Sequence, residues 1–66
     1  MKVTAAQVRR AFNDLTGPQY HRRHDAFDKG WRIAYHWCGD YQLALNDEIV
    51  ANVTRGPRGG LSIKVL

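Results

Sequence analysis

Four side chains that can bind a metal ion occur in the pattern H-x2-H-x11-H-x-C. They are His21, His24, His36 and Cys38, and imidazole and thiolate groups are typical zinc ligands. Small domains also use a metal to compensate for a small core. The spacing matches no zinc module that we recognise, and the simpler interpretation is three surface histidines and a half-buried thiol. We therefore expect folding without zinc, and no cofactor.

A first basic segment, YHRRH, interleaves aromatic and basic groups. Arg22 and Arg23 are suited to phosphate contacts, and Tyr20 is suited to stacking on a base. The competing interpretation, for this segment and for the second one described next, is a solvated basic loop. Asp25 and Asp28 partly neutralise the first segment, which weakens its signal.

A second basic segment, RGPRGG, is rich in glycine and carries Arg55 and Arg58 at a predicted hairpin tip. Basic hairpins can enter nucleic-acid grooves. Arg32, His36 and Lys64 lie on the predicted sheet and complete the set of residues expected to contact nucleic acid or another partner. None of these residues falls on a predicted apolar face.

Catalysis has little support in the sequence. His36 beside Gln42 and Asn52 could form a general-base site, but a surface histidine on an open sheet is the more ordinary interpretation. No Ser-His-Asp set or pair of carboxylates is evident, and a flat sheet face does not enclose a pocket of the usual size. We therefore expect the protein not to be an enzyme.

The N-terminal segment is predicted to form a helix over about residues 4–16. The sequence TAAQ is a capping box, with Thr4 as the N-cap and Gln7 reaching back to it. Gly17 and Pro18 form a stop signal, in which the glycine tolerates a left-handed cap. The apolar stripe at helical spacing consists of Ala5, Val8, Ala11, Phe12 and Leu15.

Residues 18–29 form either a second short helix or an ordered loop. Tyr20, His24 and Phe27 occur at helical spacing, Pro18 fits a first helical turn, and Gly30 could end such a helix.

The second half of the chain alternates apolar and polar residues in four segments, WRIAYHW, YQLAL, EIVANVT and LSIKVL. This period of two predicts a four-stranded antiparallel meander with one buried face. If every apolar residue pairs with an apolar residue of the next strand, the first two loops have three residues each, at 38–40 and 46–48. The last loop then lies within residues 55–59. The predicted rows of the buried face are Trp37–Tyr41–Val53–Leu61, Tyr35–Leu43–Ala51–Ile63 and Ile33–Leu45–Ile49–Val65. The predicted open face carries Ala34, Ala44, Val50, Lys64, His36, Gln42, Asn52 and Ser62.

The chain length indicates one domain spanning residues 1–66. The predicted elements make it an α+β domain, with the N-terminal helix packed on one face of the meander. The chain has 66 residues, of which 44% are hydrophobic, and a net charge of +4 with a pI near 9.7. A basic surface favours polyanions or acidic partners, although such a charge also simply keeps a small domain soluble.

The low cysteine content and the short apolar runs indicate where the protein is located. Cys38 is the only cysteine, so no internal disulfide can form, whereas small secreted domains usually carry several disulfides. The N-terminal sequence MKVTAAQVRRAF has no apolar run typical of a signal peptide, and no run is long enough to span a membrane. We expect a cytoplasmic protein.

The C-terminal strand LSIKVL is predicted to be a sheet edge with one charge, Lys64. Such an edge is either protected or used for pairing, so we expect a homodimer through this strand or an edge protected by Lys64 alone. The order of helix and meander resembles small RNA-binding and toxin domains at the level of the fold, and no residue roles carry over.

These features favour a small binding module that contacts nucleic acid through basic loops. The alternative is a small inhibitor or modulator, of the type encoded by phages and mobile elements, that docks on a host protein or nucleoprotein complex.

Overall fold

The computed structural model describes residues 2–66 and shows an α+β fold in which two helices precede four strands. The elements are α1 (Ala5–Thr16), α2 (Tyr20–Asp28), β1 (Trp31–Trp37), β2 (Asp40–Leu45), β3 (Glu48–Arg55) and β4 (Leu61–Val65). The strands form one antiparallel sheet in the order β1-β2-β3-β4. The predicted fold class is confirmed, and the open alternative at residues 18–29 is resolved as a helix. Neither helix is long and apolar enough to cross a membrane.

The N-terminal end of α1 is fixed by the predicted capping box. The Gln7 backbone N–H donates to Thr4 Oγ1 at 3.2 Å, and the Thr4 backbone N–H donates to Gln7 Oε1 at 2.9 Å. At the other end, Gly17 donates to the Asn13 carbonyl oxygen. Gly17 is extended rather than left-handed, which corrects the predicted cap, because the following Pro18 disfavours helical angles at the residue before it.

Helix α2 is short and mostly exposed, with only Ala26 buried. It begins after Gln19, so Pro18 precedes the helix and does not occupy its first turn. The helix is followed by Gly30, whose φ of 95° is in the region that glycine adopts without strain.

The core lies between the two helices and one face of the sheet. Phe12 is fully buried, and its ring packs edge-on against Tyr41 with the ring centroids 4.7 Å apart. The predicted α1 stripe is confirmed except for Ala5, which is exposed. The buried core consists of Val8, Ala11, Phe12, Leu15, Ala26, Trp31, Leu43, Ala51 and Val53.

The turn between β1 and β2 is one residue shorter than predicted. Cys38 and Gly39 have positive φ values of 48° and 83°, as a two-residue hairpin turn requires, and Trp37 pairs with Asp40 rather than with Tyr41. A bulge between Ile33 and Tyr35 absorbs the resulting change of face.

This bulge changes which aromatic side chains are buried. Tyr35 and Trp37 lie on the open face of the sheet, where they are 51% and 66% exposed. His36, predicted for the open face, instead pairs with Tyr41 on the helix-covered side. The prediction that Tyr35 and Trp37 belong to the core is therefore wrong.

The pairing of β2 with β3 is partly as predicted. Tyr41 pairs with Val53 and Leu43 with Ala51, as expected. The next turn has two residues, Asn46 and Asp47, both with positive φ. Together with a second register shift, it separates Leu45 from Ile49, which were predicted to pair. As a result Leu45 pairs with Glu48, and Ile49 pairs with Ala44 on the open face.

The last hairpin is shifted by two residues from the predicted register. Val53 pairs with Ile63 instead of Leu61, and Arg55 pairs with Leu61. A shift of two residues keeps every side chain on its predicted face. Strand β3 also extends to Arg55, which was predicted to lie in the loop, and alternation from Val53 therefore places this arginine on the helix-covered side.

Candidate functional site

A basic groove lies between the two helices on the side of the molecule away from the sheet. It has a volume of about 560 Å³. The polar side of α1, which the apolar stripe leaves exposed, forms one wall, and α2 with Lys29 forms the other. The residues lining this helical groove are Ala6, Arg9, Arg10, Asn13, Asp14, His21, Arg22, Asp25 and Lys29.

The helical groove carries a net positive charge. Four cations line it, Arg9, Arg10, Arg22 and Lys29, and the carboxylates of Asp14 and Asp25 oppose them. With His21 neutral, four positive and two negative groups leave a net charge of +2. The groove therefore concentrates half of the chain's net charge of +4 in one concave site.

The predicted segment YHRRH is divided between different environments by helix formation. Only His21 and Arg22 line the helical groove. Arg23 is half-buried, and its Nε is buried with no hydrogen-bond partner in the described part of the chain, residues 2–66. Tyr20 is exposed and packs on the ring of His24, with the centroids 4.3 Å apart, so the structure does not place it in the groove beside Arg22.

Arg32 is engaged within the protein. Its Nη1 donates to the carbonyl oxygens of Phe27 at 3.0 Å and Trp31 at 2.7 Å. Its guanidinium carbon also lies 4.7 Å from the centroid of the Phe27 ring. A cation at this position satisfies carbonyl groups near the C-terminal end of α2, which favours a structural role for Arg32.

The two arginines predicted at the hairpin tip differ in their surroundings, although both are exposed. Arg58 is exposed between β3 and β4. The Arg55 guanidinium carbon lies 5.4 Å from the centroid of the buried Phe12 ring. The two predicted phosphate contacts of this loop are therefore unequal, because only Arg58 extends from the loop itself.

We expect Arg55→Ala to lower the free energy of unfolding by about 0.5–1 kcal/mol, the usual contribution of an exposed cation–π contact. Arg58→Ala should change it by less than about 0.5 kcal/mol. Urea unfolding of the two variants measures the difference, and equal stabilities would contradict the packing of Arg55 on Phe12.

The open face of the sheet forms a second surface, which combines aromatic and polar groups. Tyr35, Gln42, Asn52 and Lys64 form one row across the four strands. A shallow depression of about 400 Å³ lies beside this row. Two predicted binding residues, Arg32 and Lys64, thus lie on the open face, and Lys64 belongs to the row that contains the exposed Tyr35.

The four side chains considered as candidate metal ligands are not assembled into a site among residues 2–66. His36 stacks on Tyr41, with parallel rings 4.2 Å apart, and Cys38 is exposed in the adjoining turn. Within residues 2–66, no group of three or more His, Cys, Asp or Glu side chains could hold a metal ion. The suggested general-base set is also not formed, because His36 lies on the opposite face of the sheet from Gln42 and Asn52.

We expect a strong chelator to leave the melting temperature and the circular dichroism spectrum unchanged. A structural zinc site couples metal binding to folding, so chelation would unfold such a protein. Loss of structure that added zinc restores would show that these histidines and Cys38 bind a metal.

Several residues of these surfaces are absent from the set predicted from the sequence. Arg9, Arg10 and Lys29 line the helical groove, and the position of the two arginines off the apolar stripe is the available signal. Tyr35 and Trp37 alternate in phase with the apolar face of β1, so the sequence pattern predicts them in the core.

Comparisons with models of protein families, with curated proteins and with solved structures find no match to this chain.

Proposed function

We propose that the protein is a small, non-enzymatic module that binds the phosphate backbone of nucleic acid in the helical groove. The observation that carries this proposal is the convergence of Arg9, Arg10, Arg22 and Lys29 on one groove. Three of the four cations are arginines, whose planar guanidinium groups suit bidentate contacts with phosphate oxygens.

The chemistry of the groove favours binding that is independent of nucleotide sequence. Contacts to phosphates position a nucleic acid but do not read its bases. Among residues 2–66, His21 is the only aromatic ring that lines the groove, so the groove offers little surface for base stacking. The carboxylates of Asp14 and Asp25 repel phosphate, which favours modest affinity.

Salt dependence tests this proposal directly. The affinity for a fluorescent 20-base-pair duplex is measured by anisotropy between about 20 and 300 mM salt. Four phosphate contacts predict a slope of about −3.6 in a plot of log K against log salt concentration, since each contributes about −0.9 on B-DNA. A slope near zero, or no complex at several hundred micromolar protein in low salt, would contradict nucleic-acid binding.

A second candidate function is docking on a protein, and the open face of the sheet favours it. Tyr35 and Trp37 are exposed there, and these two residue types dominate the binding energy of many protein interfaces. In this alternative the protein is an inhibitor or modulator, of the phage or mobile-element type, that docks on a host protein. Its complex would survive nuclease and high salt, and Trp37→Ser would abolish it.

We place either function in the cytoplasm. Cys38 is a free and exposed cysteine, and a reducing compartment is where such thiols persist. The first partner proposed for this chain is nucleic acid, and the second is a host protein. At the edge of the sheet, the proposed partner is another copy of the chain.

A further inference from the structure

The two edges of the sheet differ in how well they are protected against pairing with another strand. The β1 edge carries the bulge between Ile33 and Tyr35, a common device for protecting an edge. The β4 edge pairs with β3 without a register shift. It contains no proline, and its only charged side chain is Lys64.

The apolar side chains of β4 are also incompletely covered. Ala51 and Val53, on the neighbouring strand and the same face, are fully buried. Leu61 and Ile63 of β4 are only half-buried, and Val65 is 37% exposed. The apolar layer therefore continues to the edge of the molecule, where α1 covers it only in part.

The direction of the free backbone groups in β4 follows from its last hydrogen bond. The Leu66 N–H donates to the Val50 carbonyl oxygen at 2.9 Å. Because backbone groups alternate in direction along an antiparallel strand, those of Leu61, Ile63 and Val65 point away from β3. These are the groups that another strand can bind.

We propose that β4 pairs antiparallel with β4 of a second copy of this chain, on a two-fold axis at Ile63. In this register Ile63 faces itself and Leu61 faces Val65 of the partner subunit, so all three outward-facing residues are paired. Each such pair exchanges two backbone hydrogen bonds.

The two neighbouring symmetric registers are less favourable. An axis at Ser62 leaves Val65 without a partner, and an axis at Lys64 places two like charges directly opposite each other. With the axis at Ile63, Lys64 faces Ser62 of the partner subunit, which is small and neutral. The strand is therefore complementary to itself in a single register.

Pairing in this register joins the two sheets into one of eight strands. The two-fold axis is perpendicular to that sheet, so both helical layers lie on the same side of it. The half-buried side chains of Leu61 and Ile63 then continue into those of the partner subunit, which removes the exposed margin of the apolar layer.

Charge substitutions at Ser62 test both the dimer and its register by sedimentation equilibrium, without nucleic acid. Ser62→Lys places a second cation opposite Lys64 of the partner subunit twice per dimer, and it should weaken dimerisation by roughly 2- to 30-fold. Ser62→Glu should strengthen dimerisation by a similar factor. Thr54→Lys is the matched control, because Thr54 pairs with Ser62 on the same face but lies one strand away from the edge.

We expect the wild-type protein to show a monomer–dimer equilibrium. The two Ser62 variants should shift its dissociation constant in opposite directions, and Thr54→Lys should shift it less than Ser62→Lys does. A folded wild-type protein that remains monomeric at about 1 mM would overturn the proposal. Shifts of the same sign in the two Ser62 variants, or an equal effect of Thr54→Lys, would overturn the register.

Discussion

Replacing Phe12 by alanine should lower the free energy of unfolding by about 3–5 kcal/mol. Phe12 is completely buried in the centre of the core, and its ring contacts that of Tyr41. A chain of this length has a small stability margin, so a loss of this size should leave much of the protein unfolded at room temperature. Urea unfolding followed by circular dichroism measures the effect.

Trp37→Ala is the matched control for this prediction. It removes an even larger aromatic side chain, but Trp37 is two-thirds exposed on the open face, so the expected change is within about 0.5 kcal/mol. If Trp37→Ala destabilised the protein as much as Phe12→Ala does, this result would contradict the placement of Trp37 on the open face.

Removing two cations from the helical groove should have the largest effect on the proposed nucleic-acid binding. Arg9→Gln combined with Arg22→Gln removes one arginine from each wall of the groove. Both side chains are exposed, so the fold should be retained. If each arginine contacts one phosphate, the salt slope should fall by about two. Relative to 1 M salt, a slope of −0.9 makes each phosphate contact contribute about eightfold to the affinity at 0.1 M. Loss of two contacts should therefore lower the affinity at 0.1 M salt by about 60-fold.

The control for this double variant is Arg58→Gln combined with Lys64→Gln. It also lowers the net charge from +4 to +2, but Arg58 lies at the hairpin tip and Lys64 on the open face. Binding in the groove predicts a much smaller change in slope for the control. Equal losses in the two double variants would show that overall charge, and not the helical groove, determines the affinity.

Local sequence signals accounted for the elements but not for the faces of every strand. The capping residues Thr4 and Gln7 act within one helical turn, and alternation identified the four strands. The predicted registers at both two-residue turns are wrong, because apolar faces without a break require three-residue loops only when the strands contain no bulge. Bulges after Ile33 and between Leu43 and Ala44 instead absorb the extra residues. A bulge in a β-strand changes the face of the residues beyond it without a clear local signature.

The helical groove depends on tertiary structure more than the secondary-structure elements do. The sequence alone determined the helix, the meander, the basic charge and the apolar stripe that leaves Arg9 and Arg10 exposed. Only the packing of α2 beside α1 brings Arg22 and Lys29 next to those arginines, since these residues are distant along the chain. Tertiary contacts also decided that Arg55 packs on Phe12 and that Tyr35 and Trp37 face solvent. Side-chain type determines what chemistry a residue can perform, whereas packing between elements determines which residues meet.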